Sequence, residues 1–117
     1  MAFKFEDLRV WQDALELAGV IHALTLSFPK EELYVLSSQI KRAADSVVLN
    51  IAEGSTGQSN PEFNRFLGYS LRSGIEVIAC LHLAKNRGLI QKEAFDKNYQ
   101  SYEKLIISIQ ALRKTLK

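Results

Sequence analysis

Leu36-Ser37-Ser38-Gln39-Ile40-Lys41-Arg42-Ala43-Ala44-Asp45-Ser46-Val47-Val48-Leu49-Asn50-Ile51-Ala52-Glu53-Gly54 carries its apolar side chains in steps of three and four. With Leu33 ahead of it, the stripe runs Leu33, Leu36, Ile40, Ala43, Val47 and Ile51, which is the spacing of one buried helix face. A strand would need alternation with period two, and no run in the chain keeps it over a strand's length. Acidic Glu31 and Glu32 suit the positive end of a helix dipole, and Gly54 suits a left-handed C-terminal cap. The predicted helix therefore spans about 31–53.

Outward from this stretch, the punctuation defines three more helices. Phe28-Pro29 ends a first helix of about 7–27, because the residue before proline is pushed out of helical geometry. Gly54-Ser55-Thr56-Gly57-Gln58-Ser59 is a loop. A third helix, about 60–87, has two compatible starts: Ser59 with Glu62 as a capping box, or Asn60 capping ahead of Pro61. Arg87-Gly88, with Leu89 folding back, closes it as a Schellman motif. A fourth helix runs over about 92–116.

The third helix offers Phe63, Leu67, Ser70, Gly74, Val77, Leu81 and Ala84 on one stripe, and small Ser70 and Gly74 would admit a bulky neighbour. The fourth offers Phe95, Tyr99, Tyr102, Ile106, Ile109, Leu112 and Leu116. Short connections make sequential helices antiparallel. The expected fold is all-α: an antiparallel up-down-up-down four-helix bundle, one domain over residues 1–117.

Composition agrees with a globular domain and excludes several classes. Of 117 residues, 47% are hydrophobic and 24% charged, too apolar for disorder. Cys80 is the single cysteine, so no internal disulfide forms and a reducing compartment is implied. No apolar run reaches the roughly 18 residues that span a bilayer, and Met1-Ala2-Phe3-Lys4-Phe5-Glu6-Asp7 lacks a signal-peptide core. The expected setting is cytoplasmic, away from membranes.

Two helices carry more apolar surface than one stripe requires. Val10, Trp11, Ala14, Leu15, Leu17, Ala18, Ile21 and Leu24 span about half of the first helical wheel, against a little over 100° for a bundle stripe. On the second helix, Val35 and Leu49 flank Arg42 at seven-residue steps, away from the core stripe. These positions are either scattered surface hydrophobes or a subunit interface built from Val10, Leu17, Leu24, Val35 and Leu49.

Signals for catalysis are absent. A di-metal bundle site needs Glu-x-x-His spacing on two helices, but Gly19 lies three before His22 and Ala79 three before His82. There is no cysteine pair for zinc. Cys80 reads as a small half-buried hydrophobe without a base to activate it. Gly54-Ser55-Thr56-Gly57 precedes a helix N-terminus but lacks the Lys-Ser/Thr pair of a phosphate loop. Glu53 has no visible acid–base partner. No cofactor, metal or small-molecule substrate is expected.

Charge supplies the remaining signal. Lys+Arg number 15 and Asp+Glu 13, a net of +2; residues 1–60 are net −3 and residues 61–117 net +5. Arg65, Tyr69 and Arg72 fall along one outward side of the third helix, Lys41 and Arg42 lie on the second, and Lys104, Arg113, Lys114 and Lys117 populate the fourth. Arginine pairs bidentately with phosphate, and tyrosine stacks on unpaired bases. Alternatively this is a solvated face whose charges are compensated by Arg72–Glu76 and Lys41–Asp45 pairs.

Three stretches resemble hallmarks of a known family. Phe5-Glu6-Asp7-Leu8-Arg9-Val10-Trp11-Gln12-Asp13-Ala14 is similar to the opening of the four-helix-bundle proteins encoded in intervening sequences of bacterial large-subunit (23S) ribosomal RNA genes. Gln39 to Gly54 resembles their central motif. Glu62-Phe63-Asn64-Arg65-Phe66-Leu67, with Gly88-Leu89-Ile90, resembles their third helix and exit. The same family includes the accessory protein of diversity-generating retroelements, a pentameric ring that acts with a reverse transcriptase and binds nucleic acid.

The resemblance implies a homopentamer without catalytic residues, with RNA or a reverse-transcriptase-type protein as partner. By position it assigns nucleic-acid contact to Lys41, Arg42, Arg65 and Arg72, beside which Tyr69 stands. Gln58 occupies a place where the family often has arginine. The expected function is a non-enzymatic homo-oligomer that binds structured RNA or an RNA–protein assembly; a protein–protein scaffold is the alternative.

Overall fold

The corner at Phe28-Pro29 forms where the sequence puts it. The computed structural model describes residues 2–57 and 59–116, so Gln58 and Lys117 lie outside the described residues. Four helices follow one another: α1 (Arg9–Thr25), α2 (Leu36–Ser55), α3 (Asn60–Asn86) and α4 (Lys92–Lys114). No strand occurs among the described residues. Each helix packs beside its sequence neighbours, and α1 closes against α4.

Paired contacts fix the directions. Between α2 and α3, Gln39 meets Glu76, Ser46 meets Ser73 and Val47 meets Ser70. Between α3 and α4, Asn64 meets Arg113, Gly74 meets Ile106 and His82 meets Phe95. In both cases one number rises as the other falls, so the neighbours are antiparallel. His22 on α1 bonds Asp45 on α2 in the same sense relative to the groove where Ala18 lies beside Val48 and Leu49. The rod measures 43 × 22 × 21 Å, and the 27-residue α3, about 40 Å long by helical rise, sets its length.

All seven residues of the α3 stripe are buried, from Phe63 to Ala84. Its ends form as the sequence chemistry requires. The Ser59 hydroxyl accepts from the Glu62 N–H at 3.3 Å, which makes Ser59 rather than Asn60 the cap. At the exit Gly88 has φ +73°, and the Leu89 N–H returns to the Ala84 carbonyl at 2.9 Å, completing the Schellman bond. Ile106 lies against Gly74, where an added Cβ would meet its Cγ1 at 3.1 Å.

The start of α2 differs from expectation. Lys30–Glu32 form a separate 3₁₀ turn, α2 begins at Leu36 rather than near residue 31, and Leu33 is exposed instead of joining the core stripe. The acidic chemistry still serves the helix, because Glu32 Oε1 accepts from the Leu36 N–H at 3.4 Å. It does so from one turn outside the helix. Glu32 also holds Arg87 at 3.2 Å, tying this corner to the end of α3.

Gly54 is not a left-handed cap either. α2 continues to Ser55, and Gly88 is the positive-φ residue among those described. Gly54 serves packing instead: a Cβ there would lie 2.5 Å from Phe66 Cβ, so the glycine lets α2 and α3 approach beside their loop. Ser55 and Thr56 then end the helix, their hydroxyls donating to the Ala52 and Glu53 carbonyls at 2.8 Å.

The first helix is also shorter than residues 7–27. Lys4–Asp7 form a 3₁₀ turn that straps the bundle end against α1 and α2. Phe5 packs edge-on against Trp11 at 4.8 Å, and Lys4 Nζ stands 5.1 Å over the Phe63 ring. The wide apolar sector of α1 has a local cause, since this helix packs against both α2 and α4. Val10 is buried in the chain's own core, and Leu17 and Leu24 are half-buried against it. On α2, Ala44 and Val48 are buried beside the main stripe.

Two side-chain substitutions follow from the glycines, and a third from an unpaired hydroxyl. Gly54→Ala should destabilise by about 1–3 kcal/mol through overpacking against Phe66. Gly19→Ala, in a helical position with nothing within 4 Å, should stabilise by about 1 kcal/mol. Tyr102 is fully buried and its hydroxyl has no hydrogen-bond partner. Tyr102→Phe should therefore cost less than about 1 kcal/mol, or stabilise. Urea unfolding midpoints of the three variants check all of these outcomes.

Candidate nucleic-acid interface

The outward side of α3 is set by the stripe on its inward side. With Leu67, Ser70 and Gly74 buried, Arg65, Tyr69 and Arg72 are exposed on one face. The Arg65 guanidinium lies 5.5 Å from the Phe66 ring centre, and Phe66 meets Tyr69 edge-on at 5.5 Å. Thus the three expected residues on α3 form one cluster of charge and aromatic surface.

Antiparallel packing joins to this cluster a residue that the sequence placed only among the basic side chains of the fourth helix. Arg113, near the end of α4, crosses to α3, where its Nε donates to Asn64 Oδ1 at 2.6 Å. Its Nη1 donates to Gln110 Oε1 at 3.2 Å. The guanidinium rests on Gly68, where a Cβ would lie 3.3 Å from Nη2. Arg65, Gly68, Tyr69, Leu71, Arg72 and Arg113 line one surface depression of about 360 Å³. None of these residues is acidic. The signal for Arg113 was a glycine on the neighbouring helix, readable once the α3–α4 register is known.

Lys41 and Arg42 stand elsewhere. Lys41 is half-buried, and Arg42 lines a second depression with Gln39, Ala43, Ser46 and Glu76. Of the five residues expected to contact nucleic acid, Arg65, Tyr69 and Arg72 thus share one depression, Arg42 lines another and Lys41 lines neither. The compensating pairs weighed for them do not form among the described residues. Glu76 Oε2 accepts from Gln39 Nε2 at 2.9 Å, and Asp45 Oδ1 bonds His22 Nε2 at 2.9 Å. The described ion pairs involve Arg9 with Asp13, Arg87 with Glu32 and Lys92 with Asp96, besides His22 with Asp45.

Of the apolar interface candidates, Val35 and Leu49 remain exposed, at 57% and 63%. Leu49 borders a shallow groove with Leu15, Ala18, Asp45 and Val48. Leu15, exposed on α1, belongs to this surface, whereas Val10 belongs to the core. At the α1–α2 corner, Leu26, Leu33, Tyr34 and Val35 are all exposed.

No group of three or more His, Cys, Asp or Glu side chains is placed to hold a metal ion among the described residues. His82 packs edge-on against Phe95 and Tyr99. Cys80 is buried, and that burial pushes its thiol pKa up; Glu76 adds to the rise and Arg87 opposes it. No described helix is long and apolar enough to cross a membrane.

The family model for 23S rRNA-intervening sequence proteins matches residues 6–111. The chain belongs to this family. Its fold is similar to a crystal structure of a Bacteroides thetaiotaomicron protein of unknown function from the S23 ribosomal protein family. That match has a TM-score of 0.81 and 23% identity, covering 90% of this chain and 98% of the other. No curated protein matches the chain. The matched span begins in the 3₁₀ turn of Lys4–Asp7 and ends within α4.

The Cys80 environment has a direct chemical consequence. The thiolate is the reactive form, so burial and a raised pKa should slow attack on a disulfide reagent such as DTNB at pH 8. Native protein should react at least about tenfold more slowly than protein unfolded in urea, where the thiol returns to a pKa of roughly 8.5. Absorbance at the released thiolate follows both rates.

Proposed function

We propose that this chain forms a non-enzymatic homo-oligomer, a homopentamer, that binds structured RNA or an RNA–protein assembly in the cytoplasm. The observation that carries the reading is the acid-free depression in which Arg65, Arg72 and Arg113 converge beside Tyr69. Guanidinium groups pair with phosphate oxygens, and a ring of subunits would repeat this patch around the assembly. Lys41 and Arg42 would add flanking phosphate contacts from α2. The family membership supports the same reading through its tie to ribosomal RNA genes, and the buried Cys80 thiol offers no accessible nucleophile.

Leu15 and Leu49, with exposed Val35, are the apolar surface we assign to subunit contact. A protein–protein scaffold is the second reading, favoured by the exposed corner residues Leu26 and Tyr34, at 86% and 89%.

Two measurements test this proposal. RNA affinity should fall linearly on a log–log plot against salt, and Arg65→Ala with Arg72→Ala should lower that slope by about two for each subunit engaged. Absence of binding to a structured RNA at low salt, or an unchanged slope, rejects charge-mediated binding through this patch. Light scattering should give a mass about five times the 13.2 kDa of one chain, and Leu49→Glu should shift it toward a single chain. A wild-type mass of one chain rejects the oligomer.

A further inference from the structure

We propose that the depression between α3 and α4 receives an unpaired nucleotide of RNA, its base stacked on Tyr69 and its flanking phosphates held by Arg65, Arg72 and Arg113. This rests on the reading of RNA binding given above and names the part of an RNA that the site takes.

The arrangement of charge favours a single nucleotide over a duplex. Arg65 and Arg72 stand about two helical turns apart, roughly 10 Å along α3 by helical rise, while Arg113 enters from α4 across Gly68. The three guanidiniums thus line one depression from two helices instead of following a single helix axis. The depression is open to solvent, with a volume of about 360 Å³, so a base lying in it would keep one side exposed.

Tyr69 also favours an unpaired nucleotide. It is 41% exposed in the depression that the arginines line, although its neighbour Phe66 holds it by an edge contact. In a duplex the base faces are already covered by their neighbours, so an exposed aromatic ring gains stacking only from an unpaired base. Duplex phosphates would use the arginines and leave the ring idle.

Electrostatics points the same way. Arg113 is oriented by two neutral amide oxygens, from Asn64 and Gln110, and keeps its full charge for a ligand. Glu76, one turn beyond Arg72, is engaged by Gln39. An acidic peptide could satisfy the guanidiniums, but it would make no use of the tyrosine ring.

Fluorescence anisotropy with the full-length protein tests the proposal, using an oligouridine strand and an RNA duplex of equal length at one salt concentration. Oligouridine should bind more tightly. Tyr69→Ala should weaken its binding roughly 5- to 100-fold and leave duplex binding within about twofold, while Tyr69→Phe keeps both. Arg113→Gln should weaken both, and circular dichroism melts establish that each variant is folded. Equal affinity for the two RNAs, or an oligouridine affinity unchanged by Tyr69→Ala, overturns the unpaired-nucleotide site while leaving RNA binding standing. Displacement by polyglutamate as readily as by oligouridine also overturns it, in favour of an acidic protein ligand. Absence of binding to either RNA removes this proposal together with the reading it rests on.

Discussion

The close approach of α3 to both of its neighbours sets the register of the whole bundle. Gly54 lets α2 reach Phe66, and the buried Ser70 hydroxyl donates to the Val47 carbonyl at 2.9 Å, fixing the same pair of helices along their length. On the other side, Gly74 receives Ile106 and Gly68 receives Arg113. Small residues on α3 therefore act as register marks for α4. Sliding α3 by one turn would replace Gly74 opposite Ile106 by Ser70 or Ile78, and Gly68 opposite Arg113 by Asn64 or Arg72, at a cost of overpacking in a close-packed interior. One consequence is functional in kind: the register that seats Ile106 also carries Arg113, seven residues later, across the surface to the arginines of α3.

Net charge acquires its meaning from the same geometry. The total of +2 describes neither surface patch. Four of the 13 acidic side chains are committed locally: Asp13 to Arg9, Glu32 to Arg87 and the N-terminus of α2, Asp96 to Lys92, and Asp45 to His22. Exposed pairs such as Arg9–Asp13 and Lys92–Asp96 contribute little to stability. Their larger effect is distribution, since they leave Arg65, Arg72 and Arg113 facing a depression lined without acids. A weak global charge is thus compatible with a strong local one.

Legibility in the sequence followed the physics of each element. The α3 stripe and both of its caps could be read because the deciding interactions lie within four or five residues of one another. The start of α2 could not be placed, because Glu32 caps the helix from a separate turn and Val35 adopts a non-helical backbone between them. Gly54 was readable as a special position but not as a packing contact, since its partner Phe66 belongs to another helix. Part of the width of the α1 apolar face comes from α4, which packs against α1 and is not foreseeable from the first helix alone. For the site, Arg65, Tyr69 and Arg72 share a helix face and were legible together. Arg113 lies 49 residues from Asn64 in the chain, and only the folded register joins them.

Photo-cross-linking asks where on the surface RNA docks, the α3–α4 depression or elsewhere. Protein bound to RNA carrying 4-thiouridine is irradiated, digested and sequenced by mass spectrometry. The account predicts adducts on the segment containing Phe66 and Tyr69, with none on Tyr34, which is the more exposed tyrosine and so an internal control for accessibility. Adducts concentrated at Tyr34 and the α1–α2 corner, or absent from Phe66 and Tyr69, would contradict it.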